Sequence, residues 1–216
     1  MTISHHPSEE TLARYAAGTL AAGPAIVLAT HLEGCAACRS HVADFETISG
    51  LFLAGMPPTP LAPQALAQTL ARLDAGEVPP PHQPARAAHL PAGIELPAAL
   101  HGCDIGPWRW LAPGMRSSRI RLPDAPHAGI MLLRAGPTRK LPQHGHTGIE
   151  LTQILSGSFS DRRGRYLPGD IMEADDAVHH QPIVDPDGEC ICLIAIEGKM
   201  RLRGLIARLM QPFVGI

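Results

Sequence analysis

Apolar positions recur at helical spacing in the first third of the chain and run in short alternating blocks in its second half. Ser8 can cap a helix whose first turn carries Glu9 and Glu10, where the helix dipole favours negative charge; Gly18 ends it. Gly23-Pro24 opens a second helix, with proline at the first helical position, and Gly34 stops it. Val42, Phe45, Ile48 and Phe52 mark one face of a third helix, which "MPPTPLAP" (56–63) breaks. Leu66, Leu70 and Leu73 then form one stripe of a fourth, closed by Gly76.

The pattern changes twice after that. Residues 77–97 carry six prolines and little periodicity, which reads as a semi-stiff linker. From about residue 98 the runs "RIRL", "GIMLLRA", "ELTQILSGSFS", "GDIMEAD" and "CICLIAIEG" are separated by Gly, Pro and Asp, the texture of a compact all-β barrel or sandwich. The expected organisation is a small helical domain over 1–76, a proline-rich linker over 77–97 and a β domain over 98–216. Few contacts are expected to cross such a linker.

Composition narrows the function. Of 216 residues 45% are apolar but only 4% aromatic, so the core is built mostly from Leu, Ile, Val and Ala. The formal charge is −2 with no long basic run, which argues against direct nucleic-acid binding. No stretch approaches the roughly 18–20 uninterrupted apolar residues of a membrane span. The opening "MTISHHPSEE" lacks the basic and then apolar regions of a signal peptide, so a soluble, cytoplasmic chain is expected. In a reducing compartment its five cysteines read as thiols or metal ligands rather than disulfides. Twelve histidines direct attention to metal sites.

The stretch "HLEGCAAC" (31–38) holds the first candidate site. Cys35 and Cys38 are three apart, so one helical turn brings both sulfurs to one face. His31 reaches the same point across the Gly34 turn. A tetrahedral zinc needs a fourth ligand, and "HH" at 5–6 lies near the start of the first helix. His6 is preferred to His5 because it adjoins the turn at Pro7. His41 is a rival, but it lies on the stripe expected to pack against other helices. A thioredoxin-type redox pair would need a strand-to-helix junction, which the pattern here lacks. Zinc would staple a helical domain poor in aromatics.

An N-terminal His followed by H-x-x-x-C-x-x-C on short helices resembles the zinc-binding anti-sigma domain. The stretch "MTISHH…YAAGTL…ATHLEGCAAC" resembles the ChrR-type anti-sigma factors as a whole. The resemblance implies zinc on His6, His31, Cys35 and Cys38. It also implies that this domain wraps an extracytoplasmic function (ECF, group IV) sigma factor and blocks its access to RNA polymerase.

"QHGHTGIELTQILSGSF" (143–159) holds the second. His144 and His146 alternate and share one face of a strand, and Glu150 stands at an even offset from them. Gly157 suits the turn after the strand, "YLPGD" (166–170) a turn into the next one, and "HH" follows at 179–180. Three imidazoles and a carboxylate suit Zn, Fe, Mn or Ni. The spacing H-x-H-x-x-x-E-x-x-x-x-x-x-G resembles the first motif of the cupin fold. The second motif departs from the common pattern, with its His about ten residues beyond the P-G turn. That longer gap is similar to the C-terminal cupin of ChrR-type proteins, which implies His180 as the fourth ligand. Cys190 and Cys192 share a strand face, where core packing is the simpler reading and an oxidisable thiol pair the sharper one.

The leading expectation is therefore a small N-terminal helical zinc-binding domain followed by a C-terminal cupin β-barrel. The resemblance implies an anti-sigma factor rather than an enzyme. By the resemblance it releases its ECF sigma factor on an oxidant signal, singlet oxygen or organic peroxide, sensed through a cupin holding Zn2+ or another divalent metal. The alternative is a metal-dependent cupin enzyme, a dioxygenase or isomerase. Thr147, Thr152 and Gln153 alternate with the candidate ligands and supply no spare acid or lysine for such chemistry.

Overall fold

Helix α1, Glu9–Ala16, begins where the Ser8 side chain accepts the Thr11 N–H, with Glu9 and Glu10 in the first turn. Gly18 follows it at φ 67, a left-handed turn position. Helix α2, Ala22–Gly34, starts two residues earlier than Gly23-Pro24 predicts, because proline is equally tolerated deeper in a first turn whose N–H groups have no helical partner. Cys35 closes α2 and opens α3, Ala36–Gly55, its sulfur accepting from the Cys38 N–H. Helix α4 spans Ala65–Asp74. The computed structural model describes residues 2–75, 94–141, 144–176, 180–198 and 200–202; Gly76 and most of 77–97 lie outside them. No helix among the described residues is long and apolar enough to cross a membrane.

A short 3-10 helix, Ala98–Leu100, leads into the β region. Its strands are β1 (Asp104–Ile105), β2 (Arg109–Ala112), β3 (Met115–Arg121), β4 (Gly129–Ala135), β5 (His144–His146), β6 (Glu150–Ser156), β7 (Phe159–Asp161), β8 (Gly164–Tyr166), β9 (Ile171–Ala174), β10 (Ile183–Val184), β11 (Cys190–Ile196) and β12 (Met200–Leu202). The main sheet runs β1-β3-β4-β11-β6-β9, with β2 beside β3. β10-β7-β8 and β12-β5 form two smaller sheets, so the described strands make three antiparallel sheets rather than one closed hydrogen-bonded barrel. The strand expected to run from His144 to Glu150 is interrupted. β5 pairs with β12, whereas β6 lies in the main sheet. Gly157 sits at φ 73 with the Glu189 carbonyl oxygen 2.0 Å from where a β-carbon would stand, so only glycine fits that turn.

Period-two alternation sorts the main sheet into two buried faces. Leu132, Leu151, Ile171, Leu193 and Ala195 face the helices and share one apolar cluster with Leu12, Val27, Leu28, Cys35, Cys38 and Val42. Leu133, Ile154, Met172, Cys190, Cys192 and Ile194 face the interior of the β region with Phe159 and Tyr166. All seven residues of β11 are therefore buried. This differs from the expectation of few contacts across the linker: α2 lies against β11, β6 and β4. Further bonds tie the two regions. Thr30 donates to Gln153, Arg14 pairs with Glu197 at 3.0 Å, and Glu33 accepts from the N–H groups of Ala98 and Ala99. The reason is compositional: α2 is apolar around most of its circumference and needs cover on more than one side.

Candidate metal centre

His6, His31, Cys35 and Cys38 converge. One donor atom from each lies within 4.8 Å of all the others. The Cys35 and Cys38 sulfurs are each 3.4 Å from His6 Nδ1, and the Cys38 sulfur is 3.3 Å from His31 Nε2. A zinc tetrahedron with ordinary Zn–S and Zn–N bonds has N···S edges of about 3.5 Å, so this two-nitrogen, two-sulfur set fits zinc. Its placement follows from the local sequence. Cys35 is the N-cap of α3 and Cys38 lies one turn on, while His31 sits in the last turn of α2. His6 comes from the extended segment before α1, its ring edge-on to His31 at 5.8 Å between centroids. His41 is exposed on α3 and outside the cluster.

The electrostatics differ from those of a redox couple. His31 is buried, and burial lowers its pKa in spite of its bond to a carbonyl, which keeps the imidazole neutral at pH 7. Burial and the adjacent Cys35 push the Cys38 thiol up to about 12. A redox-active C-x-x-C carries the opposite perturbation, a depressed thiol.

The surroundings come from the β region. His31 Nδ1 lies 2.9 Å from the Gly169 carbonyl oxygen. A carbonyl only accepts, so Nδ1 carries the proton and Nε2 keeps its lone pair toward the cluster. Asp170, 1% exposed, accepts from the N–H groups of Ser4 at 2.7 Å, His5 at 3.0 Å and Leu167 at 2.9 Å. Burial alone would raise this carboxyl, but those N–H groups outweigh it and hold the pKa below the ordinary value. His5 turns away from the cluster and stacks on Tyr166, 4.4 Å between centroids. Glu173 accepts from Ser8 and Thr11 at the head of α1. Sequence reasoning missed Gly169, Asp170 and Glu173, whose partners lie more than a hundred residues away.

The second constellation is described in part. Glu150, buried at the start of β6, accepts from Thr152 Oγ at 2.9 Å. His180 is buried before β10. His144 and His146 occupy β5; their side chains, and all of His179, lie outside the described residues. Glu150, Thr152, Met172, Cys190 and Cys192 line a cavity of about 20 Å3. The two thiols are 3.9 Å apart, and Cys190 together with burial raises Cys192 well above the ordinary thiol range.

A third feature belongs to α3 and α4. The apolar face of α3 splits: Val42 is buried, but Ile48, Leu51, Phe52 and Leu53 are exposed, Leu51 by 70% and Phe52 by 74%. Met56, Leu61, Leu66, Leu70 and Leu73 are exposed as well, and α4 buries none of its residues.

Comparison with known proteins follows this division. A family model described as the ChrR cupin-like domain matches residues 99–198. The anti-sigma-E factor ChrR of Cereibacter sphaeroides is 36% identical over 216 residues, spanning 100% of both chains. The crystal structure of Rhodobacter sphaeroides SigE in complex with the anti-sigma ChrR contains a chain that superposes with a TM-score of 0.70 at 33% identity. That match covers 91% of this chain and 100% of the other.

Proposed function

The chain belongs to the ChrR family of anti-sigma factors, and from that premise we propose that its helical region binds and sequesters an ECF sigma factor. The observation that carries this reading is the exposed apolar surface running from Ile48 to Leu73. So many large apolar side chains left exposed along helices mark a protein interface. The similar chain in the solved structure is held in a complex with a sigma factor. The role is regulatory rather than enzymatic, and the partner is a protein, met in the cytoplasm.

Within this reading His6, His31, Cys35 and Cys38 hold zinc. Zinc there supplies a cross-link that fixes α3, and with it the apolar face, relative to α1 and α2. Cys35 orders the first turn of α3 through its bond from the Cys38 N–H. His31 presents Nε2 because the Gly169 carbonyl holds the proton on Nδ1. The signal enters through the cupin. We assign His144, His146, Glu150 and His180 to a second divalent metal, and an oxidant such as singlet oxygen or an organic peroxide to the release of the sigma factor. The buried Glu150 and the Thr152 bond that orients it support this assignment.

Co-expression with the ECF sigma factors of the source genome tests the reading. One of them is expected to co-purify with the chain in equal amount. Recovery of the chain free of all of them would overturn it.

A further inference from the structure

We infer that the turn between β8 and β9, residues 167–170, is the outer shell of the zinc centre, so that this centre is assembled from both the helical and the β region. The inference rests on the reading of His6, His31, Cys35 and Cys38 as a zinc site.

One contact reaches a ligand directly, and a second set grips the segment that precedes another. The Gly169 carbonyl fixes the tautomer and ring orientation of His31 at 2.9 Å. Asp170 fixes the backbone that delivers His6. Its Oδ1 takes the N–H groups of both Ser4 and His5, at 2.7 and 3.0 Å, and its Oδ2 lies 3.3 Å from His5 Nδ1. The His5 carbonyl then accepts the Ile171 N–H at 3.1 Å. Residues 4 and 5 are thus held to the head of β9, immediately before His6. The geometry of the turn is special to its sequence. Gly169 sits at φ +92, and a β-carbon there would stand 3.0 Å from Ile3. Asp170 accepts the Leu167 N–H within the turn itself, so a single carboxylate both shapes the turn and grips the N-terminal segment.

Outer-shell partners of this kind orient ligands and raise their basicity, and their removal typically weakens metal affinity by about 10- to 100-fold. Gly169 and Asp170 are positioning residues: neither is placed to touch the metal. The β side also carries the second constellation. β9 is the neighbour of β6 in the main sheet, with Ala174 opposite Glu150 and Ile171 opposite Gln153. The strand that follows the turn is therefore the one that pairs with Glu150 at its far end.

The test is zinc competition against a chromophoric chelator on the full chain, with Co2+ absorption reporting the thiolate ligands. Asp170→Ala is expected to hold zinc about 10- to 100-fold more weakly and to alter the cobalt spectrum at temperatures where circular dichroism shows it folded. Ser4→Pro removes one donor to Asp170 without touching the β region, and should weaken zinc in the same direction. Asp170→Asn keeps an acceptor for Ser4 and His5 and should recover part of the loss. Asp185→Asn breaks a comparable carboxylate network away from the turn and should leave zinc affinity within about twofold. Wild-type affinity in both Asp170→Ala and Ser4→Pro would overturn the inference. So would an equal loss in Asp185→Asn, which would mean general destabilisation. A wild-type chain without a cobalt–thiolate band that Cys35→Ser abolishes would remove the zinc reading itself.

Discussion

Gly23 of α2 lies so close to Ala195 of β11 that a β-carbon at position 23 would stand 3.3 Å from the Ala195 methyl. The absence of a side chain is what lets the helix rest on the sheet. Gly23→Ala requires a shift of a few tenths of an ångström, and Gly23→Val a larger one. Overpacking of this kind typically costs about 1–3 kcal/mol. Gly23→Val should lower the urea midpoint of the full chain accordingly. An unchanged midpoint in Gly23→Val would mean that α2 is not docked in solution.

The zinc quartet makes a stoichiometric prediction. Cys35→Ser or Cys38→Ser should reduce zinc by about one atom per chain, the count of a single structural site. Sigma-factor binding should fall with it, because the helices lose their cross-link. Retention of both zinc and sigma binding in Cys38→Ser would show that these residues do not form the site.

Acid should weaken the β region through Asp185. Burial opposes ionisation of this carboxyl, but Ser158, Ser160 and Arg165 outweigh it and hold its pKa below the ordinary value. A folded-state pKa below the unfolded one contributes stability that is complete above about pH 4 and is lost as pH falls through the folded value. Asp185→Asn should therefore cost about 1–3 kcal/mol at pH 7, and its deficit should shrink below about pH 4. Thermal melts of the two proteins across that range check the sign. A deficit independent of pH would assign the loss to packing instead.

The cupin ligands are tested by pairs. His180→Ala should release the second metal and His179→Ala should retain it, since His180 is the one whose side chain is seen to be buried. Elemental analysis of the two variants decides the register, and the reverse result would shift it by one. Glu150→Ala should leave sigma binding intact while blunting release under a singlet-oxygen generator. Undiminished release would take the cupin metal out of the signal.

How much was legible in the sequence followed from distance along the chain. The four helices could be read because Ser8, Gly18 and the prolines after Met56 act locally. The closeness of His31, Cys35 and Cys38 could be read because they lie within two helical turns, and of the two histidines at 5–6 it is His6 that lies beside them. The start of α2 was misplaced because Pro24 is tolerated at more than one position of a first turn. The break between β5 and β6 was hidden because Thr147 and Gly148 interrupt an otherwise even spacing; a β-carbon at Gly148 would stand 2.3 Å from the Glu197 carbonyl oxygen. Helix docking and the Asp170 clasp were not legible at all, since 165 residues separate Asp170 from His5. Nor does periodicity distinguish Val42, which packs inside, from Phe52 on the same face, which stays exposed.

The central claim is that the α3–α4 surface captures a sigma factor, and transcription measures it most directly. RNA polymerase reconstituted with the co-purifying ECF sigma factor is titrated with the zinc-loaded full chain. Wild-type chain should abolish transcription at one chain per sigma factor. The double variant Leu51→Asp, Phe52→Asp replaces two exposed side chains, so its own stability should change by less than about 0.5 kcal/mol per site. Its inhibition should weaken by at least about 30-fold, the effect of removing one interface hot spot of about 2 kcal/mol. A folded, zinc-loaded double variant that inhibits as well as the wild type would contradict the account.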